Sequence, residues 1–274
     1  MRRELAIVIT LLVPLLSTSA LAYTSLDKHS AVAFDGKEAM RVSQAAIGRR
    51  LSDHRFLDRG EEEVRISDYR GKPLLISLIY TSCYYSCSVF TRYLGEIVDV
   101  AREALGESSF SVVTVGFDAV NDSPGRMAIY ASGQGIDNPD WSFLSGDVET
   151  LQALTSELGF TYAASPKGFD HMAQVTVIDA NGEIYRQVYG DRFEPPALVE
   201  PLKELVFGLD PTSNTIDRWV DNVRLFCTIY DPSTGRYRFD YSIFVALIIG
   251  TLCLASIAIF IVRAWRQSST PLPH

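Results

Sequence analysis

The stretch "TSCYYSC" carries two cysteines, Cys83 and Cys87, directly after an apolar run. Two thiols this close can close a disulfide, grip one soft metal ion, or cycle as a redox couple. If a helix starts at Cys83, Cys87 falls on the same helix face. Their Cα atoms then lie about 6 Å apart, inside the range a disulfide bridges. A helix N-terminus stabilises negative charge, so a thiolate is favoured there. Thiolates select Cu(I), zinc or iron–sulfur clusters. A purely structural bridge fits poorly. So short a loop removes little unfolded-chain entropy, and a chain of 274 residues can bury a core without one.

Two ligands rarely complete a metal site, which directs attention to the histidines. His29 lies in an unpatterned polar stretch, His274 at the C-terminus and His54 in an expected hairpin. His171, in "GFDHMAQVTVID", is expected on a loop just before a buried strand. In an open α/β layout, loops at the ends of neighbouring strands converge on one crevice. His171 is therefore the histidine placed to reach the cysteine pair.

The elements that would position these groups are legible from periodicity. "HRFLD" and "EVRIS" flank a Gly-acidic turn and suggest a hairpin. Leu74 to Tyr80 and Phe110 to Phe117 are continuous apolar runs, as in strands buried on both faces. Val89 to Leu105 has helical spacing. Pro124 suits the first turn of a short helix. A further helix follows in "SGDVETLQALTSELGF", with Ser145 or Asp147 as candidate N-cap. Val175 to Asp179 and Ile184 to Tyr189 read as strands joined by a turn, and Pro195 to Phe207 as a last helix. Strands alternating with helices and ending in a hairpin make one α/β domain.

Both ends of the chain are apolar. Arg2 and Arg3, the uncharged run Leu5 to Leu16 and Ala20-Leu21-Ala22 read as a signal peptide over 1–22, cut after Ala22. Ser242 to Val262 is uncharged and meets the length of about 20 residues that a membrane helix requires. Tyr241 and Trp265 flank it, so the transmembrane helix is expected over 241–265. Arg263 and Arg266 follow, which puts the tail 266–274 in the cytoplasm. The domain then lies on the periplasmic or extracytoplasmic side of a bacterial-type cytoplasmic membrane, held by a single C-terminal pass. Residues 23–45 are expected as a linker, 46–208 as the domain and 209–240 as a juxtamembrane connector. The net charge of −8 argues against a nucleic-acid partner, because phosphate binding needs a basic face. Cys227 stands alone near the span and Cys253 lies inside it, leaving Cys83 and Cys87 as the local pair.

Three segments together carry a resemblance: "DYRGKPLLISLIYTSCYYSC", "VGFDAVNDSPGRMAIYA" and "GFDHMAQVTVIDANGEIYRQVYG". From about residue 50 to 208 the chain resembles the Sco/SenC family of copper-binding proteins. The resemblance implies a thioredoxin-like fold, a central mixed sheet flanked by helices. It implies copper, as Cu(I) and in some states Cu(II), held by Cys83, Cys87 and His171, and a redox disulfide Cys83–Cys87. It also implies work in assembling the dinuclear copper centre of cytochrome c oxidase. The segment "LFCTIYDPSTGRYRF" and the following span resemble a C-terminal extension found in some such proteins. The chain departs from the family's "CPxxCP" pattern, with Tyr84 and Ser88 at the proline positions. Asp118 and Asp122 match acidic positions of the family, with Ala119 in place of a proline. Asp118 either orients His171 and tunes the site or caps its own turn. Asp170 has the same two options. Tyr84 and Tyr85 either shield the metal or sit on the helix surface.

Two functions are carried forward. In the first, a copper metallochaperone delivers its ion to the copper-accepting subunit of a membrane oxidase, and the anchor raises its effective concentration there. In the second, a membrane-anchored thiol–disulfide oxidoreductase reduces the oxidase's copper-ligand cysteines, with Cys83 as nucleophile and Cys87 as resolving thiol.

Overall fold

The structure, a computed structural model, describes residues 34–83, 85–136, 138–208 and 227–268. The expected signal peptide, Tyr84, the first part of the connector and the end of the tail lie outside the described residues.

The chain builds its core from the two apolar runs. Strands β3 (Leu74–Ile79) and β4 (Ser111–Gly116) are buried along their whole length and pair in parallel. Their β-branched and aliphatic side chains suit a sheet covered on both faces. The crossover between them is helix α2 (Ser86–Leu105), which buries Phe90, Leu94, Ile97, Val98 and Ala101 along one face. A second crossover, α3 (Pro124–Gln134), leads to β5 (Trp141–Ser145), which pairs in parallel with β4. Strands β8 (Gln174–Ile178) and β9 (Ile184–Tyr189) form the expected hairpin, and β8 runs antiparallel to β3. At the other edge, β1 (Arg55–Leu57) and β2 (Glu63–Arg65) pair as expected, and β1 joins β5. The sheet order is β2-β1-β5-β4-β3-β8-β9. Helix α4 (Val148–Leu158) is capped by the Asp147 carboxylate, which accepts from the Thr150 N–H at 2.7 Å. Helix α5 (Pro196–Gly208) packs on α2 and against β8 and β9. The result is a thioredoxin-like mixed sheet with flanking helices.

Four local differences from the sequence expectation stand out. The arm expected as linker over 23–45 contains helix α1 (Gly36–Gln44), N-capped by Asp35. It docks through Ser43, whose hydroxyl bonds Gln174 at 2.7 Å. The backbone of α1 comes so close to Gly159, at φ 65°, that a Cβ there would sit 2.7 Å from the Val42 carbonyl. Strand β5 was not anticipated, because five residues between turn signals carry little periodicity. His171 is not on a loop. It ends β7 (Gly168–His171), which pairs with β6 (Tyr162–Ser165) in a separate two-stranded sheet. Finally, the connector contains a hairpin, β10 (Thr228–Asp231) and β11 (Arg236–Phe239). It is held by Lys203, a buried side chain that donates to the Thr228 carbonyl at 2.7 Å.

Helix α6 (Ser242–Ser268) follows directly. Its stretch Ser242–Trp265 has mean hydropathy 2.8, is not buried inside the protein, and is long and apolar enough to cross a membrane.

Candidate metal centre

Strand β3 delivers the chain into a tight turn, where the Cys83 N–H bonds the Tyr80 carbonyl at 3.1 Å. Helix α2 starts three residues later. The Cys83 sulfur sits over its first turn, accepting the Cys87 N–H at 3.3 Å and lying 3.2 Å from the Ser86 hydroxyl. It thus satisfies an N–H that no helical carbonyl could reach. Both cysteines are buried and free. Burial opposes ionisation of Cys83, but hydrogen bonds from the Cys87 thiol, Ser86, the Cys87 N–H and Tyr80 outweigh it and bring the thiol down to about 7. Cys87 moves the other way: burial, and donation of its proton toward Cys83, push its thiol well up. Tyr80 is pushed up to about 12, by burial and by its hydrogen bond to Cys83.

His171 lies across a small cavity from the cysteine turn. Its ring is enclosed by Tyr80, Phe117 and Phe160, with centroids at 6.1, 5.5 and 5.4 Å. Burial among these rings lowers its pKa, so the imidazole is neutral at pH 7. Nδ1 is 3.3 Å from the Met172 carbonyl, which can only accept. The proton is therefore on Nδ1, and Nε2 keeps a free lone pair. The hairpin that carries His171 packs on Tyr80 through Gly168. At φ 116°, a Cβ on Gly168 would lie 2.8 Å from the Tyr80 ring.

Cys87, His171, Ser86 and Asp191 line one cavity of about 40 Å³, closed by Leu78, Ile79, Phe90 and Ala173. That volume suits a single ion or a few water-sized groups. Among the described residues, no three His, Cys, Asp or Glu side chains stand in joint ligating range. The fold therefore brings the two cysteines together and points His171 at the same cavity as Cys87, without closing the three into a cage. A larger cavity of about 490 Å³, lined by Arg55, Phe56, Asp122, Ser145 and Asp147, contains neither cysteine nor histidine.

The matched acidic residues serve the turn rather than the histidine. Asp122 accepts the Thr81 N–H and hydroxyl, both at 2.7 Å, and the Asp118 N–H at 2.9 Å. It ties the turn after β4 to the turn before Cys83. Asp118 accepts from Val120 and Asn121 in its own turn, at 3.3 and 2.7 Å. The described hydrogen bonds of His171 include neither aspartate. Asp170 is exposed beside His171 and favours its charged form. Tyr85 is exposed at the helix start. Cys227 is buried beside β10 and Cys253 faces outward on α6.

A family model described as SCO1/SenC matches residues 44–207. The chain belongs to the SCO1/SenC family. Solved structures share its fold. A protein of Aquifex aeolicus VF5, named for electron transfer, is 24% identical with TM-score 0.54, over 62% of this chain and 99% of that one. A SCO1/SenC family lipoprotein from Bacillus anthracis str. Ames is 18% identical with TM-score 0.53, over 58% and 95%. Yeast Sco1 with copper bound is 17% identical with TM-score 0.50, over 64% and 97%. At these identities the likeness is one of fold. No curated protein matches the chain at a significant level.

Several residues of the site carried no signal in the sequence reading. Tyr80 was simply the last residue of an apolar run, and Phe117 ended another. Phe160 closed a helix. Asp191 followed a strand in a polar turn. A residue type alone does not tell which of these faces a cavity.

Proposed function

We propose that the protein carries copper on Cys83, Cys87 and His171 and passes it to the copper-accepting subunit of a membrane cytochrome c oxidase, where the dinuclear centre is assembled. The observation that carries this reading is the shared cavity of Cys87 and His171, with Cys83 bonded to Cys87 at the helix start. Two soft sulfurs and one neutral imidazole suit Cu(I). The Cys83 thiol, at about 7, is half ionised at neutral pH and yields its proton to an incoming ion at little cost. Completing the three-ligand set requires His171, at the end of β7, to come closer to the cysteine turn. Family membership and the copper-bound yeast relative support the choice of metal. The apolar helix Ser242–Trp265 anchors the domain to a bacterial-type cytoplasmic membrane, with the domain on the extracytoplasmic face. Transfer then proceeds by stepwise exchange of ligands between donor and acceptor.

The test is a competition titration of Cu(I) on the full chain in detergent, reduced and oxygen-free, for wild type and for Cys83→Ser, Cys87→Ser and His171→Ala. One ion bound per chain, weakened at least tenfold in each variant, supports the reading. Binding that ignores His171 sinks it.

A second reading has its own support. The two thiols are unequal, Cys83 lowered and Cys87 raised. That is the pattern of a nucleophile and a resolving thiol in a reductase. In that case Cys83→Ser abolishes thiol exchange with a disulfide-bonded acceptor peptide, while His171→Ala leaves it intact.

A further inference from the structure

The corner between β9 and α5 holds a residue that the copper ligands do not account for. The chain leaves Tyr189 through Gly190, at φ 104°, whose N–H bonds the Ala173 carbonyl at 3.0 Å. Ala173 adjoins the His171 hairpin. Three residues on, the Phe193 carbonyl accepts the hydroxyl of Tyr93 on α2, and the two rings stack edge-on at 5.6 Å. The corner is thus tied at one end to the strand beside His171 and at the other to the helix that begins at the cysteines. Between the two ties lies Asp191. It lines the cavity with Cys87 and His171 and keeps access to solvent.

A positive φ favours glycine, so the turn at Gly190 is built rather than incidental. Its consequence is to bring Asp191 to the lining of a cavity whose other walls, apart from Ser86, are sulfur, imidazole and hydrocarbon. We propose that Asp191 sets the preference of this site between Cu(II) and Cu(I). The inference rests on the copper reading above.

The chemistry follows from charge and hardness. Two thiolates and a neutral imidazole leave Cu(I) with a net charge of about −1 and Cu(II) with about zero. A further negative charge at the cavity rim stabilises the doubly charged ion more than the singly charged one. A carboxylate oxygen is also a hard donor, suited to Cu(II) and poorly suited to Cu(I). Asp191 is a specificity residue, acting beside the three expected ligands.

The experiment uses the full chain in detergent, with Cu(I) and Cu(II) titrated separately against competing chelators. Wild type is compared with Asp191→Asn, Asp191→Glu and Asp99→Asn, the last removing an equal charge from the exposed face of α2. Electron paramagnetic resonance of the Cu(II) form gives a readout independent of affinity. Asp191→Asn is expected to weaken Cu(II) about tenfold, to change Cu(I) less than about twofold, and to alter the Cu(II) hyperfine splitting. Asp191→Glu restores the preference, and Asp99→Asn moves neither ion. If wild type binds copper through Cys83, Cys87 and His171 but Asp191→Asn matches it for both ions, the assignment of Asp191 falls alone. If both ions weaken equally, Asp191 is not selective and the proposal falls. If wild type binds neither ion, the copper reading falls and takes this one with it.

Discussion

The Asp122 carboxylate holds Thr81 by two bonds of 2.7 Å, one to its N–H and one to its hydroxyl. Thr81 is two residues before Cys83, so this pair fixes the turn from which the first thiol projects. Its third acceptance, from the Asp118 N–H, anchors the same carboxylate to the end of β4. Gly116 leaves the room, since a Cβ there would meet the Asp122 Cβ at 2.5 Å.

Asp122→Asn is therefore costly although it keeps the shape. Three donors converge on the carboxylate, and an amide replaces one acceptor with a donor. An unsatisfied buried group costs about 2 kcal/mol. The variant should melt several degrees lower and alkylate faster at Cys83. An unchanged melting midpoint would falsify this account of the turn.

The two thiols should titrate apart. Alkylation of Cys83 is expected to reach half its maximal rate near pH 7, while Cys87 stays unreactive until far more alkaline pH. The sign also matters for stability. The Cys83 pKa in the folded protein lies below the free value of about 8.5. The thiolate therefore stabilises the fold above that pH, and the contribution is lost as pH falls through about 7. Mass spectrometry of the two peptides after timed labelling reads the rates. Parallel labelling of both cysteines across pH contradicts the arrangement.

Tyr80→Phe separates the hydroxyl from the ring. The ring still packs on Phe169 at 5.2 Å and Phe117 at 5.4 Å, so stability should change little. Cys83 loses one hydrogen bond, and its thiol should rise above about 7. Thiolate absorbance against pH measures the shift. No shift means that the Tyr80 hydroxyl does not reach the sulfur in solution.

The juxtamembrane hairpin should depend on Lys203. Its ammonium bonds the Thr228 carbonyl at 2.7 Å, pairs with Glu200 at 3.1 Å and lies 5.9 Å from the Tyr237 ring centre. Lys203→Met leaves the carbonyl without its donor, at a cost of roughly 1–3 kcal/mol. Amide hydrogen exchange over Thr228–Phe239 should speed up while the central strands stay protected. Equal protection in both proteins counts against a lysine-held hairpin.

Much of this protein follows from local pattern. The runs at β3 and β4, the helix between them, the β8–β9 hairpin and the apolar helix near the C-terminus each announce themselves in consecutive residues. Periodicity and burial act over the same few positions. The placement of Cys83 in the turn just before α2 is local too, because a strand, a turn and a helix follow one another without interruption. The sequence likewise singled out His171 as the histidine placed to reach the cysteines; the chain puts it on the cavity that Cys87 lines, at the end of β7 rather than on a loop. Two four-residue strands outside the main sheet carry too little pattern to be read.

The tertiary structure alone decided the rest. Crossovers bring β3, β4, β8 and β9 side by side, so Cys87, His171 and Asp191 face one cavity from three separate stretches of chain. The rings of Tyr80, Phe117 and Phe160 close on the imidazole only when their strands and loops are packed, and that burial keeps it neutral. Asp122 was matched as an acidic position, yet what it holds became visible only once two turns met. Local residue type sets which chemistry a side chain can perform. Which side chains share a space depends on long-range packing, which no short window of sequence encodes.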